Sequence, residues 1–166
     1  MSGVGDPVAI FTALNDAAVD YVVIGGMAVI LHGVVRTTMD VDIMISPLPT
    51  GRDGFETAFA ALEATDRGGE PFGIQGWPQG ENVRVTTACG PLDIMPADSG
   101  PPLEWADIRN AARRVILASG CELKVVSLEH LVVLKQRAGR YTDLADLESL
   151  ECVHGPLPLL EPVVAS

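Results

Sequence analysis

Basic residues are scarce in this chain: 11 Lys and Arg stand against 22 Asp and Glu, a formal net charge of -11 at pH 7. Such a surface repels phosphate backbones at long range and argues against non-specific nucleic-acid binding, while leaving room for a local basic site or a basic protein partner. Cysteine is scarce too. Cys89, Cys121 and Cys152 are odd in number, far apart and free of any C-x-x-C spacing, so neither a disulfide framework nor a thiolate zinc site is suggested and three reduced, mostly packed thiols are expected. His32, His130 and His154 show no ligand spacing, and packing or capping roles are expected of them. No apolar run approaches the length of about 18 residues that a membrane-spanning helix needs. Residues Met1 to Asp6 carry neither a basic region nor a long apolar stretch, so no secretory signal is expected and a cytoplasmic setting is. Internal repeats, low-complexity tracts and an interdomain linker are absent as well.

What is present is a composition poor in aromatics and 48% hydrophobic, which suits an α/β or α+β protein with a real core. The length of 166 residues fits one domain, read here as 1–154 with a C-terminal helical part at 128–150. A loosely ordered, proline-rich tail over 155–166 is expected, with Leu157, Leu159 and Leu160 able to dock on a neighbour. Asp6-Pro7 reads as the start of a first helix with Val8, Phe11, Leu14 and Ala18 on its apolar face. A second helix is predicted from about Arg52 to Thr65, after a loop over Ser46 to Gly51, and an irregular loop over Glu70 to Glu81. Trp77 in that loop either stacks on a base or covers a core edge. Asn82 to Thr87 alternates Val83 and Val85 against Asn82, Arg84 and Thr86, the period of a half-buried strand, and Leu92 to Met95 returns beside it. Pro102 to Ala112 reads as helical, and Arg113 to Leu117 with Cys121 to Val126 as a second hairpin. Ser127 should cap a helix from Leu128 to Ala138 that stops at Gly139. Thr142 should cap a last helix, Asp143 to Leu150, with Leu144, Leu147 and Leu150 inward.

The stretch from Tyr21 to Ile45 carries the chemistry. An apolar strand, Tyr21 to Ile24, stops at Gly25-Gly26, which reads either as a tight strand-to-helix turn or as a place where backbone N–H groups meet a phosphate. Further on, Asp40 and Asp42 sit at i and i+2 of a strand and so project from one face, with Val41 and Ile43 on the other. Arg36 lies close by, able to hold a loop by pairing with a carboxylate or to meet a triphosphate with its bidentate fork. Thr38 bonds neighbouring backbone. Asp93 interrupts an apolar run, so it is either exposed on an edge or aimed at something positive, such as a metal shared with Asp40 and Asp42. Three carboxylates are hard oxygen ligands of the kind Mg2+ and Mn2+ prefer.

Strand, Gly25-Gly26, helix, Arg36-x-Thr38-x-Asp40-x-Asp42 and a later Asp93 together resemble the polymerase-β-type nucleotidyltransferase fold. The closing run Leu131-x-x-Leu134-Lys135-x-x-Ala138-Gly139-Arg140-x-x-Asp143-x-x-Asp146-Leu147 is similar to the end of the bacterial group that includes nucleotidyltransferase-type toxins of abortive-infection systems. The resemblance covers about Tyr21 to Leu150. It implies a mixed β-sheet flanked by helices, with C-terminal helices, and a nucleoside triphosphate donor. It implies Asp40, Asp42 and Asp93 as catalytic metal ligands for Mg2+ or Mn2+, with Gly25, Gly26, Arg36, Thr38, Lys135 and Asp143 around the nucleotide. For Lys135 and Asp143 an interhelical ion pair is the other reading. Much of the superfamily has Gly-Ser where this chain has Gly25-Gly26, so backbone N–H groups take the place of a serine hydroxyl. The large C-terminal domain that fuller toxin relatives use to hold an acceptor does not follow in these residues, which leaves the acceptor open between protein and RNA. The function implied is transfer of a nucleoside monophosphate to such an acceptor, in a toxin–antitoxin or phage-defence pair with a cognate protein partner. The other function class is a catalytically inactive member of the fold acting as a binding or antitoxin module. A sugar-nucleotide transferase using D-x-D ranks third, the chain being short for that architecture.

Overall fold

The computed structural model describes residues 5–158. Helix α1 (Pro7–Asp16) starts as its sequence dictates, with Pro7 in the first turn and the Asp6 carboxylate accepting from the Ala9 N–H at 3.1 Å. It buries Ile10, Phe11 and Leu14. Strand β1 (Val22–Ile24) is buried throughout and passes without a loop into α2 (Gly25–Leu31). An extended segment leads to β2 (Val41–Ile45), whose Val41, Ile43, Met44 and Ile45 are all buried. After α3 (Phe55–Ala61) come β3 (Val83–Thr87) and β4 (Gly90–Pro96), then α4 (Trp105–Ala111), the hairpin β5 (Arg113–Ile116) and β6 (Glu122–Val125), and finally α5 (Leu128–Ala138) and α6 (Tyr141–His154).

Among the described residues the strands form one six-stranded sheet in the order β3-β4-β2-β1-β6-β5. It is mixed: β2 runs parallel to β4 and β1 parallel to β6, while the β1–β2, β3–β4 and β5–β6 pairs are antiparallel. This is the α/β sheet flanked by helices that the sequence led us to expect. The near-continuous apolar run of β2 follows from its central place, where both faces are covered. Helix α2 packs on β1 and β2 and against α5, and α5 packs against α6. No described helix is long and apolar enough to cross a membrane.

Several boundaries differ from expectation. Helix α3 covers only Phe55–Ala61, because Pro49–Arg52 forms a 3-10 turn and Gly54, at φ +86°, turns the chain into the helix. Its end is set by the sheet: Leu62 O accepts from the Ala88 N–H and Thr65 pairs with Thr86, so the chain must leave the helix early. Its buried face is still Phe55, Ala58 and Phe59, followed by Leu62. Helix α4 begins at Trp105 rather than Pro102, since the backbone before it is held by Asp98, whose N–H donates to Leu103 O at 3.0 Å. Trp77 belongs to the core and does not await a base: it is 2% exposed and meets Phe55 edge-on at 5.1 Å between centroids. Cys89 and Cys121 are partly buried, but Cys152 is exposed rather than packed.

The last helix differs most. It begins at Tyr141, capped by Arg140 and Asp143 in a reciprocal box, where Thr142 was predicted to cap it. It runs on to His154, and its buried side chains are Asp143, Asp146 and Leu150, with Leu144 52% exposed. The leucine face predicted from apolar spacing is therefore rotated, because the two carboxylates at i and i+3 turn inward to meet cations. His32 and His130 are buried as expected, with the N–H of His32 Nε2 donating to Val126 O at 2.7 Å, while His154 is exposed and donates from Nε2 to His32 O, at the end of α2, at 2.6 Å. Leu157 packs against the core, whereas Leu159 and Leu160 lie outside the described residues.

Candidate active site

The sheet register builds the site. Asp42 of β2 lies opposite Ile24 of β1 on one side and opposite Asp93 of β4 on the other, and Asp93 lies opposite Arg84 of β3. Cross-strand neighbours share a face, so Arg84, Asp93 and Asp42 form one row. Asp40, expected on the same strand, lies one residue before β2 begins and joins the row through Arg84. Next to Ile24 the chain turns at Gly25, whose φ is +67°. A Cβ at Gly25 would collide with the Asp42 side chain, with Cγ only 2.8 Å away. Glycine there satisfies the positive φ and at the same time gives Asp42 its place. A Cβ at Gly26 would lie 3.0 Å from Thr38 Oγ1 and 3.3 Å from Arg36 Cζ. In this chain the threonine hydroxyl and the guanidinium crowd the space into which a serine at 26 would extend.

The carboxylates strain against one another. Burial first, then the Asp93 carboxyl that shares a hydrogen bond with it, and then Asp40, push the Asp42 pKa up to about 6, against a counter-pull from Lys135. Burial also raises Asp93, against the Arg84 charge. The Arg84 guanidinium lies among them, with Nη1 donating to Asp93 Oδ2 at 2.8 Å and to Asp40 Oδ2 at 3.4 Å, and Nη2 donating to Asp40 Oδ1 at 3.4 Å.

Opposite this row, α5 and α6 supply a second set of charges. Lys135 Nζ, on a 6% exposed residue, donates to Asp143 Oδ1 at 3.1 Å and lies 2.8 Å from Asp146 Oδ2. Arg36 Nη1 donates to both oxygens of Asp146, at 2.7 and 2.6 Å, so the loop before β2 is tied to α6. Burial raises Asp143, but hydrogen bonds from Arg140 and Lys135 outweigh it and hold the pKa low. Both structural readings made from sequence thus hold for these side chains: Arg36 pairs with a carboxylate, and Lys135 with Asp143 is an interhelical ion pair. The carboxylate that takes Arg36 is Asp146, not the strand aspartates.

One cavity of about 620 Å³ joins the two sets, a size typical of small-molecule sites, which run from roughly 300 to 1,000 Å³. Gly25, Gly26, Arg36, Thr38, Asp40, Asp42, Asp93, Lys135 and Asp143 all line it, so the structure, while leaving Trp77 apart in the core, brings these nine residues to one place. It adds Arg67, Arg84, Arg140 and Asp146. The signal for Asp146 was the i, i+3 spacing from Asp143. The signal for Arg84 was only its place on the polar face of a strand, which does not say which strand it faces. Five of the chain's 11 basic residues, Arg36, Arg67, Arg84, Lys135 and Arg140, thus surround one cavity in an acidic protein.

A divalent cation suits this donor set. Asp40, Asp42 and Asp93 line one cavity, and burial and mutual repulsion raise the Asp42 pKa, a cost that a cation would relieve. Among the described residues no group of three or more ligand-type side chains is already disposed around a metal position. Arg84 lies between Asp40 and Asp93 in that arrangement.

Comparisons with known proteins bear on the fold and the family. No curated protein matches the chain. Among solved structures, the antibiotic-resistance factor ANT(2'')-Ia is similar at 14% identity over 89% of this chain and 81% of that one, with a TM-score of 0.60. The lincosamide antibiotic adenylyltransferase LnuA, solved with lincomycin bound, is similar at 16% identity over 87% and 93%, with a TM-score of 0.58. An antigenic nucleotidyltransferase-like protein from Paracoccidioides brasiliensis is similar at 21% identity over 90% and 76%, with a TM-score of 0.51. At these identities the likeness shows the fold. The family model described as nucleotidyl transferase AbiEii toxin, type IV toxin–antitoxin system, matches residues 10–151, and the chain belongs to that family of nucleotidyltransferases.

Proposed function

We propose that the protein transfers a nucleoside monophosphate from a nucleoside triphosphate to a protein or RNA acceptor, with Mg2+ or Mn2+ held by Asp40, Asp42 and Asp93. The observation that carries this reading is the cavity in which Asp40, Asp42 and Asp93 face Arg36, Lys135 and Arg140. The metal, when bound, supplies a Lewis acid for the α-phosphoryl oxygens and charge neutralisation for the departing pyrophosphate. The rest falls to the chain. Gly25 and Gly26 let the backbone approach the phosphates, and Thr38 offers a hydroxyl where a serine is lacking. Lys135 and Arg36, each already paired with an acid, take the residual phosphate charge. An acceptor hydroxyl oxygen bonds to the α-phosphorus as the bond to the α–β bridging oxygen breaks, and pyrophosphate carries that electron pair away. The hydroxyl proton passes to Asp93, whose side chain lines the cavity and is 29% exposed. Positioning and electrostatics suffice for such a transfer, without a covalent intermediate.

Calorimetry with each nucleoside triphosphate in Mg2+ tests the donor, and an α-labelled nucleotide incubated with RNA and protein fractions tests the acceptor. Binding that Asp42→Asn abolishes is the expected result. No heat with any nucleotide sinks the reading. A stable partner complex indifferent to Asp42→Asn, with no nucleotide bound, would instead mark a silent binding module.

A further inference from the structure

Arg84 does nothing in the transfer just described, yet it lies among Asp40, Asp42 and Asp93. It rises from β3, at the sheet edge, and among the described residues its side chain pairs with Asp93 and Asp40. Its side chain is 51% exposed, so no packing fixes it, and ion pairs of that exposure hold weakly. A single positive charge therefore sits where a divalent cation would bring two. The guanidinium fork fits carboxylate and phosphate oxygens alike, so it is suited to leaving one for the other.

We propose that Arg84 is the resident counter-cation of the Asp40–Asp42–Asp93 cluster, that an entering divalent metal displaces it, and that the donor triphosphate then receives it. This rests on the reading of those three carboxylates as the metal ligands. It makes metal and nucleotide bind cooperatively. Without nucleotide, the metal competes with Arg84 and binds weakly. With nucleotide, the displaced guanidinium gains a partner, and by linkage each ligand raises the affinity of the other. The protein thereby avoids holding a loaded metal centre when no donor is present.

The test measures Mn2+ affinity by the paramagnetic resonance of the free ion, with and without a non-hydrolysable triphosphate analogue, for wild type, Arg84→Gln and Arg84→Lys. The Gln variant is expected to bind Mn2+ more tightly without nucleotide by roughly fivefold or more, the lower end of ordinary coupling between sites. The tightening that nucleotide produces in wild type should shrink in it by the same factor. Arg84→Lys keeps the charge but not the fork and should fall between wild type and Arg84→Gln, both in Mn2+ affinity without nucleotide and in the tightening that nucleotide produces. Where the Gln variant folds poorly, a Lys variant identical to wild type in both overturns the inference. Equal or weaker Mn2+ binding by Arg84→Gln beside normal binding by wild type overturns this inference and leaves the metal-site reading standing. Failure of wild type and both variants to take Mn2+ overturns both.

Discussion

Burial, together with the Asp93 and Asp40 carboxylates, raises the Asp42 pKa from 3.8 to about 6, so the folded, metal-free chain binds this proton more tightly than the unfolded chain does. The sign of the linkage follows: below pH 3.8 the residue is neutral in both states and costs nothing, and as pH climbs toward about 6 a destabilisation grows, complete above that value. Asp42→Asn removes the charge while keeping the shape. In chelator at pH 8 the variant should be more stable than wild type by about 1–3 kcal/mol, the advantage fading as pH falls toward 4. Urea denaturation at the two pH values checks this, and a variant weaker than wild type at pH 8 contradicts it. A second residue carries the opposite pH dependence. Burial lowers the His32 pKa, with the Val126 carbonyl only partly offsetting it, and Nδ1 is buried without a partner. A folded-state pKa below 6.5 means that stability is lost as pH falls from 6.5, because the unfolded chain takes the proton first. His32→Gln keeps a donor for Val126 and should lose less stability than wild type between pH 7.5 and 5.5, measured by thermal melts. At this scale the sequence was explicit about Asp40, Asp42 and Asp93, because D-x-D on a strand and an acid in an apolar run are local signals. Arg84 was not legible, since its partner is decided by strand register, which no local pattern encodes.

Among the elements, the join of β1 to α2 bears the tightest constraint. Gly25→Ala would force a side chain at φ +67° and drive it into Asp42, with an expected loss of more than about 2 kcal/mol together with loss of metal-dependent nucleotide binding. Ser127→Ala is the contrasting case at the start of α5. It removes an acceptor for the His130 N–H at 3.2 Å and should cost about 1 kcal/mol while leaving nucleotide affinity in place, as melts and calorimetry on the same samples would show. Equal loss of binding in both variants would mean that Gly25 acts only through stability. The elements themselves were largely readable where a cap and a stop are local: Asp6-Pro7 for α1, and Ser127 with Gly139 for α5. They were not readable where tertiary contacts decide. Helix α3 ends where β3 captures its following residues. Helix α6 turns its acids inward because Lys135 and Arg36 wait there, and apolar spacing alone puts Leu144 on the wrong side.

Across the whole molecule the charge is unevenly spread. The cavity lining holds five acids and five bases, so the net charge of -11 belongs to the rest of the chain. A triphosphate approaching this protein meets long-range repulsion first and attraction only within the cavity once a divalent cation offsets its carboxylates, where low dielectric keeps local charges strong. Salt acts on these two fields differently. The screening length falls from about 30 Å at 0.01 M to about 8 Å at 0.15 M, enough to erase the exterior field at the cavity but not contacts of a few ångströms. With Mg2+ saturating, nucleotide affinity should therefore stay level or rise as ionic strength goes from about 0.01 to 0.15 M. A site on a basic protein surface would lose affinity steeply over that range. Calorimetric titration at the two ionic strengths decides it. A drop of about tenfold or more, or 1.4 kcal/mol, would place the phosphates on the open surface rather than between the carboxylate row and Lys135.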